Sequence, residues 1–174
     1  RLNSEDHLKS LQQMKIIAEM MHLTYKRKNF LLLTNNGKDF LDKLSPLEQY
    51  NHMVLHYWYR VNWEYFTPTQ EVGKISLSEK LQGNQNKIWY LLLGKNTQWI
   101  DYKTFCLSLR EYFRLEPYFK DSILGSDYEL FSDINHVLFR NNLLLFNCIE
   151  TETKPRKYEW IEEIIRFRST PAGL

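Results

Sequence analysis

The chain has 174 residues, is 43% hydrophobic and 25% charged, and carries a formal net charge of +2, values that fit one folded domain or two small ones and exclude wholesale disorder. Six Gly and five Pro are too few for a collagen-like segment or a turn-dense β-sandwich, there is no Gly-rich phosphate loop, and no window of about 18 apolar residues offers a transmembrane helix. Cys106 and Cys148 have no metal-type spacing and form no disulfide framework, which suits a reducing, cytoplasmic setting.

Residues 6–22 read as an amphipathic helix, because Leu8, Leu11, Met14, Ile17, Ala18 and Met21 recur at three- and four-residue steps. Ser4 is its N-cap candidate, with Glu5 and Asp6 in the first turn where carboxylates suit the helix dipole. Leu23-Thr24-Tyr25 and Phe30 to Leu33 flank a polar tip at residues 26–29, the pattern of a hairpin. Thr34 can cap the next helix, and Gly37 lets that helix turn close beside the strand. Ser45-Pro46-Leu47-Glu48 opens another helix, with a Ser cap, Pro at the first helical position and Glu three after the cap. Its apolar stripe runs through Tyr50, Val54, Tyr57, Trp58, Val61 and Tyr65, so its end is expected near residue 66.

Residues 67–84, with Pro68, Gly73 and Gly83, are expected to be a connection. Helices follow at 85–93, where Ile88, Trp89, Leu92 and Leu93 share a face and Gly94-Lys95-Asn96 is the stop, and at 101–114, where Asp101 is the N-cap. A further helix is expected at 127–140, with Leu130, Phe131, Ile134, Val137 and Leu138 inward. Leu143 to Ile149 and Trp160 to Arg168 are strand candidates around a polar, Pro-containing tip at 151–157. The fold class is therefore mainly α with small β-hairpins, an α+β chain.

Two stretches follow one plan. An amphipathic helix (6–22, then 127–140) feeds a hairpin with a basic tip (Lys26-Arg27-Lys28, then Lys154-Pro155-Arg156-Lys157), and the returning strand ends in Thr-x-x-Gly (Thr34 to Gly37, then Thr170 to Gly173). This order resembles the back half of a winged-helix-turn-helix domain, with "FLLLTNNGKDFL" a good match and "IIRFRSTPAGL" a fair one, Ser169 standing where Leu is usual. The whole is similar to tandem winged helices in large bacterial proteins of plasmid and mobile-element type. That resemblance implies a first unit at 1–66 that includes a linking aromatic helix, a connection at 67–84 and a second unit at 85–174. Helices 85–93 and 101–114 would supply the front half of the second unit. Those of the first either precede Arg1 or are replaced by another segment.

Function is weighed between two classes. As a nucleic-acid module, the resemblance places a recognition helix in the major groove of double-stranded DNA and a wing on its phosphates. Lys26, Arg27 and Lys28, with Lys154, Arg156 and Lys157, are then the phosphate candidates, and Lys9, Gln12, Gln13 and Lys15 are placed on the polar side of the first helix near base edges. Against this stand Asp127, Glu129 and Asp133 on the second helix, which would repel a phosphate backbone. As a protein-contact module, the chain would use its many aromatics on neighbouring domains or a protein partner. An enzyme is not expected. His52 and His56 share a helix face, but Met53 stands where a zinc-peptidase motif needs Glu. Cys106 and Cys148 read as small hydrophobes, His136 as the cap of a core edge, and Glu162-Glu163 alternate across a strand. The run Tyr57-Trp58-Tyr59 with Trp63, Tyr65 and Phe66 reads as a core seam before a base-stacking platform. No metal or cofactor is implied.

Overall fold

A computed structural model describes residues 5–66, 76–93, 97–119, 125–155 and 163–171, with the side chains of residues 5–10 and of Leu93 outside the description. The expected cap at Ser4, the inward Leu8 and Leu93, the stop at 94–96, Trp160 to Glu162 and Gly173 thus lie outside the described residues. The chain divides into two units, Arg1–Asn62 and Trp63–Leu174. It is mainly α, with two small antiparallel sheets, and no helix among the described residues is long and apolar enough to cross a membrane.

The first unit runs α1 (Glu5–Met20), β1 (Thr24–Arg27), β2 (Phe30–Leu33), α2 (Asn35–Lys43) and α3 (Pro46–Arg60). Its helix starts are made by the residues whose oxygens can make them. The Thr34 hydroxyl accepts the Gly37 N–H at 2.9 Å, and Ser45 and Glu48 form a reciprocal capping box with Pro46 at the first position. The hairpin tip is tighter than expected: Arg27 pairs with Phe30, so the turn is Lys28-Asn29 alone, with Lys28 at φ 55. Helix α3 is shorter than its apolar stripe suggests. Val61 is extended, a separate 3-10 turn covers Trp63–Phe66, and Tyr65 is exposed. The core of this unit is small. Among its described residues Ile17, Tyr57, Trp58 and Val61 are its buried apolar side chains. Leu11, expected inward, faces solvent.

The second unit holds α4 (Leu77–Gln82), α5 (Gln85–Leu93), β3 (Ile100–Asp101), α6 (Tyr102–Phe113), α7 (Glu116–Phe119), α8 (Ser126–Ile134), a π-helix (Asn135–Leu143), β4 (Ile149–Lys154) and β5 (Glu163–Ser169). Helix α4 lies within the stretch expected to be a connection; Ser76 caps it and Leu77 and Leu81 are buried. The strand expected at Leu143 to Ile149 is not one. The helix of α8 widens to π and continues through Leu143, turns occupy 144–147, and the strand starts at Ile149. Apolar residues at every position from Leu143 to Phe146 fit a buried helix end as well as a strand, and the helix wins because Leu143 and Phe146 both reach the core. The polar run expected as the tip, from residue 151, is therefore mostly strand β4.

The sheet of the second unit has the order β3-β5-β4, all antiparallel, with a bulge between Glu152 and Thr153. Its inner side rests on an aromatic cluster. Phe167 of β5 meets Phe105 of α6 at 5.0 Å and Phe139 of the π-helix at 4.8 Å, both edge to face, and Tyr102 meets Phe139 at 5.1 Å.

The two helix–hairpin junctions are hydrogen-bonded alike. The Leu23 N–H donates to the Ala18 carbonyl and the His22 N–H to that of Glu19; the Cys148 N–H donates to Leu143 and the Asn147 N–H to Leu144. Each set is a Schellman ending, with the left-handed residue being His22 (φ 55) or Asn147 (φ 52) where Gly is commonest. The returning strand closes each junction with a threonine. The Thr34 N–H reaches the Leu23 carbonyl and its hydroxyl the His22 carbonyl, while the Thr170 N–H reaches Cys148 and its hydroxyl Asn147. Gly37 is required at the first junction, since a Cβ there would sit 2.1 Å from the Leu23 oxygen.

Candidate nucleic-acid interface

Lys26, Arg27 and Lys28 are exposed at the end of the first hairpin, and none of them makes an ion pair among the described residues. Strand pairing fixes the backbone of Lys26 and Arg27, Lys28 follows in the turn, and all three side chains are exposed, so their charges stay available to an anion. Gln12 and Lys15 are exposed on α1, Lys15 with Glu19 at 3.7 Å, a pair weakened by its exposure. The Lys9 side chain lies outside the described residues.

Gln13 is a correction. It does not stand on the outer side of α1 but is 2% exposed, and its amide donates to the Tyr57 hydroxyl at 3.3 Å. A buried amide needs a partner, and Tyr57 of α3 supplies one at the centre of this small core. Burial also holds the Tyr57 hydroxyl well above its ordinary pKa, against the smaller opposing effect of the Gln13 hydrogen bond.

The second hairpin is different in charge. Lys154 lies 3.3 Å from Glu163, which also receives Lys103 at 3.1 Å. Burial pushes the Glu163 carboxyl up, but these two lysines together outweigh it and leave the carboxyl below its usual range. Arg166 pairs with Glu152 at 2.6 Å and Arg168 with Glu150, each directly across the β4–β5 ladder, and both guanidinium groups lie 4.8 Å from the Trp99 ring. This described face is neutralised from within, so Lys154 is not an available cation. Arg156 and Lys157 lie outside the described residues. The Trp99 arrangement had one signal in the sequence, the β-prone pair Trp99-Ile100 just before the Asp101 cap, but its partners are over 60 positions away.

The acidic helix also has internal partners. Asp127 pairs with Arg110 at 2.5 Å. Burial, with a smaller contribution from Glu129, pushes the Asp133 carboxyl from 3.8 up to about 6. A carboxyl raised in the folded state favours folding only while protonated. Its contribution is complete below 3.8 and is lost as the pH rises through about 6. Asp133→Asn should therefore flatten the pH dependence of the second unit's stability over that window and stabilise it at neutral pH. Melting curves of both proteins at pH 4 and 7 check this, and equal differences at the two pH values would refute it.

Among the described residues no group of three or more His, Cys, Asp or Glu could hold a metal ion. Cys106 and Cys148 are buried, and burial pushes the Cys106 thiol up to about 12. His56 Nδ1 lies 3.0 Å from the His52 carbonyl oxygen, and His52 meets Phe40 edge on. Of the aromatic run, Tyr57, Trp58, Trp63 and Phe66 are buried, and Tyr59 and Tyr65 are exposed. His136 is half-buried.

The chain matches no protein-family model, no curated protein and no solved structure.

Proposed function

We propose that this chain is a non-catalytic, nucleic-acid-associated module of tandem winged-helix type, which holds duplex phosphates with its first hairpin. The observation that carries the reading is the set of three adjacent, exposed cations at the hairpin tip, Lys26 and Arg27 at the end of β1 and Lys28 in the turn, none ion-paired among the described residues. The winged-helix part rests on the like-bonded junctions and on the order β3-β5-β4, in which a short strand before α6 closes the hairpin that follows α8 and the π-helix. Gln12 and Lys15 are the base-edge candidates that remain on α1. The second hairpin, neutralised over its described face, plays a supporting part.

The test is fluorescence anisotropy with a labelled duplex at several salt concentrations. Three phosphate contacts give a log–log slope of about −2.7, so affinity should fall about 40-fold between 50 and 200 mM salt. Lys26→Ala, Arg27→Ala and Lys28→Ala together should remove most of that slope without lowering the melting temperature. Absence of duplex binding at 50 mM salt defeats the reading. A second reading, contact with a protein, is favoured by one specific observation: all four residues of β2 are apolar and exposed.

A further inference from the structure

Strand β2 is where the two like-bonded junctions part company. Thr34 and Thr170 close the two junctions alike, so, counted back along each returning strand, Leu31 corresponds to Phe167 and Phe30 to Arg166. In the second unit β5 has a strand on each side. Its far edge is closed by β3, with Ile100 opposite Phe167 and Asp101 opposite Arg166. Helix α6 grows directly out of β3 and lays Phe105 on Phe167, which is fully buried. In the first unit the sheet is β1-β2 alone among the described residues. Phe30, Leu31, Leu32 and Leu33 are 69%, 49%, 36% and 45% exposed.

An edge strand is normally blunted by charge, Pro or a bulge, and β2 has none of these. Its residues alternate between faces, so a strand paired to its edge would satisfy the backbone but would leave Leu31 and Leu33 on one face uncovered. Something lying across that face is needed as well. The second unit contains such an element in Trp99–Phe113, a strand followed at once by an amphipathic helix.

We propose that β2 takes an antiparallel strand from a partner polypeptide, continued by an amphipathic helix whose apolar face covers Leu31 and Leu33. Antiparallel to β2, that strand runs toward the hairpin tip, so its helix begins beside Lys26, Arg27 and Lys28. Those unpaired cations favour a partner with carboxylates at its helix start, the place Asp101 holds in α6. Main-chain pairing would supply affinity and the two leucines the specificity, as in other additions of a strand to an open edge. The free edge and apolar face of β2 form the surface and the neighbouring cations only select the partner's charge, so peptide binding and duplex binding are measured separately.

The experiment uses the whole chain and a synthetic peptide of its own residues Thr97–Leu115 as the strand–helix probe, followed by fluorescence anisotropy and by hydrogen exchange. The expected result is saturable binding with new protection at Phe30 to Leu33. Leu31→Lys should weaken it about tenfold or more, the loss of one buried leucine contact. Circular dichroism should show that variant folded, since Leu31 is half exposed. A probe with Pro in place of Ile100 should bind no better than the Leu31→Lys variant binds the natural probe. Three results overturn the proposal: no saturable binding, protection appearing at β5 instead of β2, or wild-type chain that dimerises through β2 and loses the dimer in Leu31→Lys. Duplex binding that is absent while the peptide binds would defeat only the nucleic-acid reading.

Discussion

Gly37→Ala is expected to destabilise the first unit by about 3 kcal/mol, more than any other single-atom change at the hairpin, with a steep loss of hydrogen-exchange protection at Leu23 to Leu33. The Cβ would stand 2.1 Å from the Leu23 oxygen, 3.0 Å from its carbonyl carbon and 3.2 Å from a Leu33 methyl. The first two are backbone atoms and cannot swing aside. That same oxygen accepts the Thr34 N–H at 3.0 Å and lies 3.3 Å from the Thr34 hydroxyl, so moving it loosens the strand closure as well as relieving the clash. The small core of this unit leaves little reserve to absorb the loss. Gly83→Ala is the control. Gly83 has φ −63, and its nearest neighbour for a Cβ is the Glu79 oxygen at 3.3 Å, so its stability should stay within about 1 kcal/mol of wild type. A Gly37→Ala protein that exchanges like wild type would mean that α2 does not approach Leu23 as described.

What could be read from the residues was mostly local chemistry. Thr34, Ser45 and Asp101 each make the cap their side chains can make, because a cap depends on an oxygen and an N–H only two or three residues away. The threonine closure was legible as Thr-x-x-Gly, although its hydrogen-bond acceptors, His22 and Asn147, were not. What stayed hidden depends on distant neighbours. Gln13 looks like a surface residue until Tyr57, 44 positions later, offers it a partner. Lys154 looks like a free cation until Glu163 is placed across the hairpin. The strand β3 is two residues long and exists only because β5 is there to pair with it. The end of the last helix is not legible in the sequence, because the apolar run Leu143 to Phe146 fits helix and strand equally well and tertiary burial decides between them.

The contrast between Phe167 and Leu31 gives the second large prediction. Phe167→Ala should cost the second unit about 3–5 kcal/mol, since it empties a fully buried ring site. The loss exceeds transfer alone, because edge-to-face contacts with Phe105 and Phe139 go with the ring, each worth about 0.5–1.5 kcal/mol. These contacts tie α6, the π-helix and β5 together, so the whole second unit should melt earlier, and Tyr102 against Phe139 cannot replace the missing link. Leu31→Ala, the same place at the other junction, should cost under about 1 kcal/mol in the isolated chain, because half of that side chain already faces water. Urea titrations of the two variants, read by hydrogen exchange in each unit, measure both numbers. If Leu31→Ala proved as costly as Phe167→Ala, the apolar face of β2 would already be covered within this chain, and no partner strand would be needed to explain it.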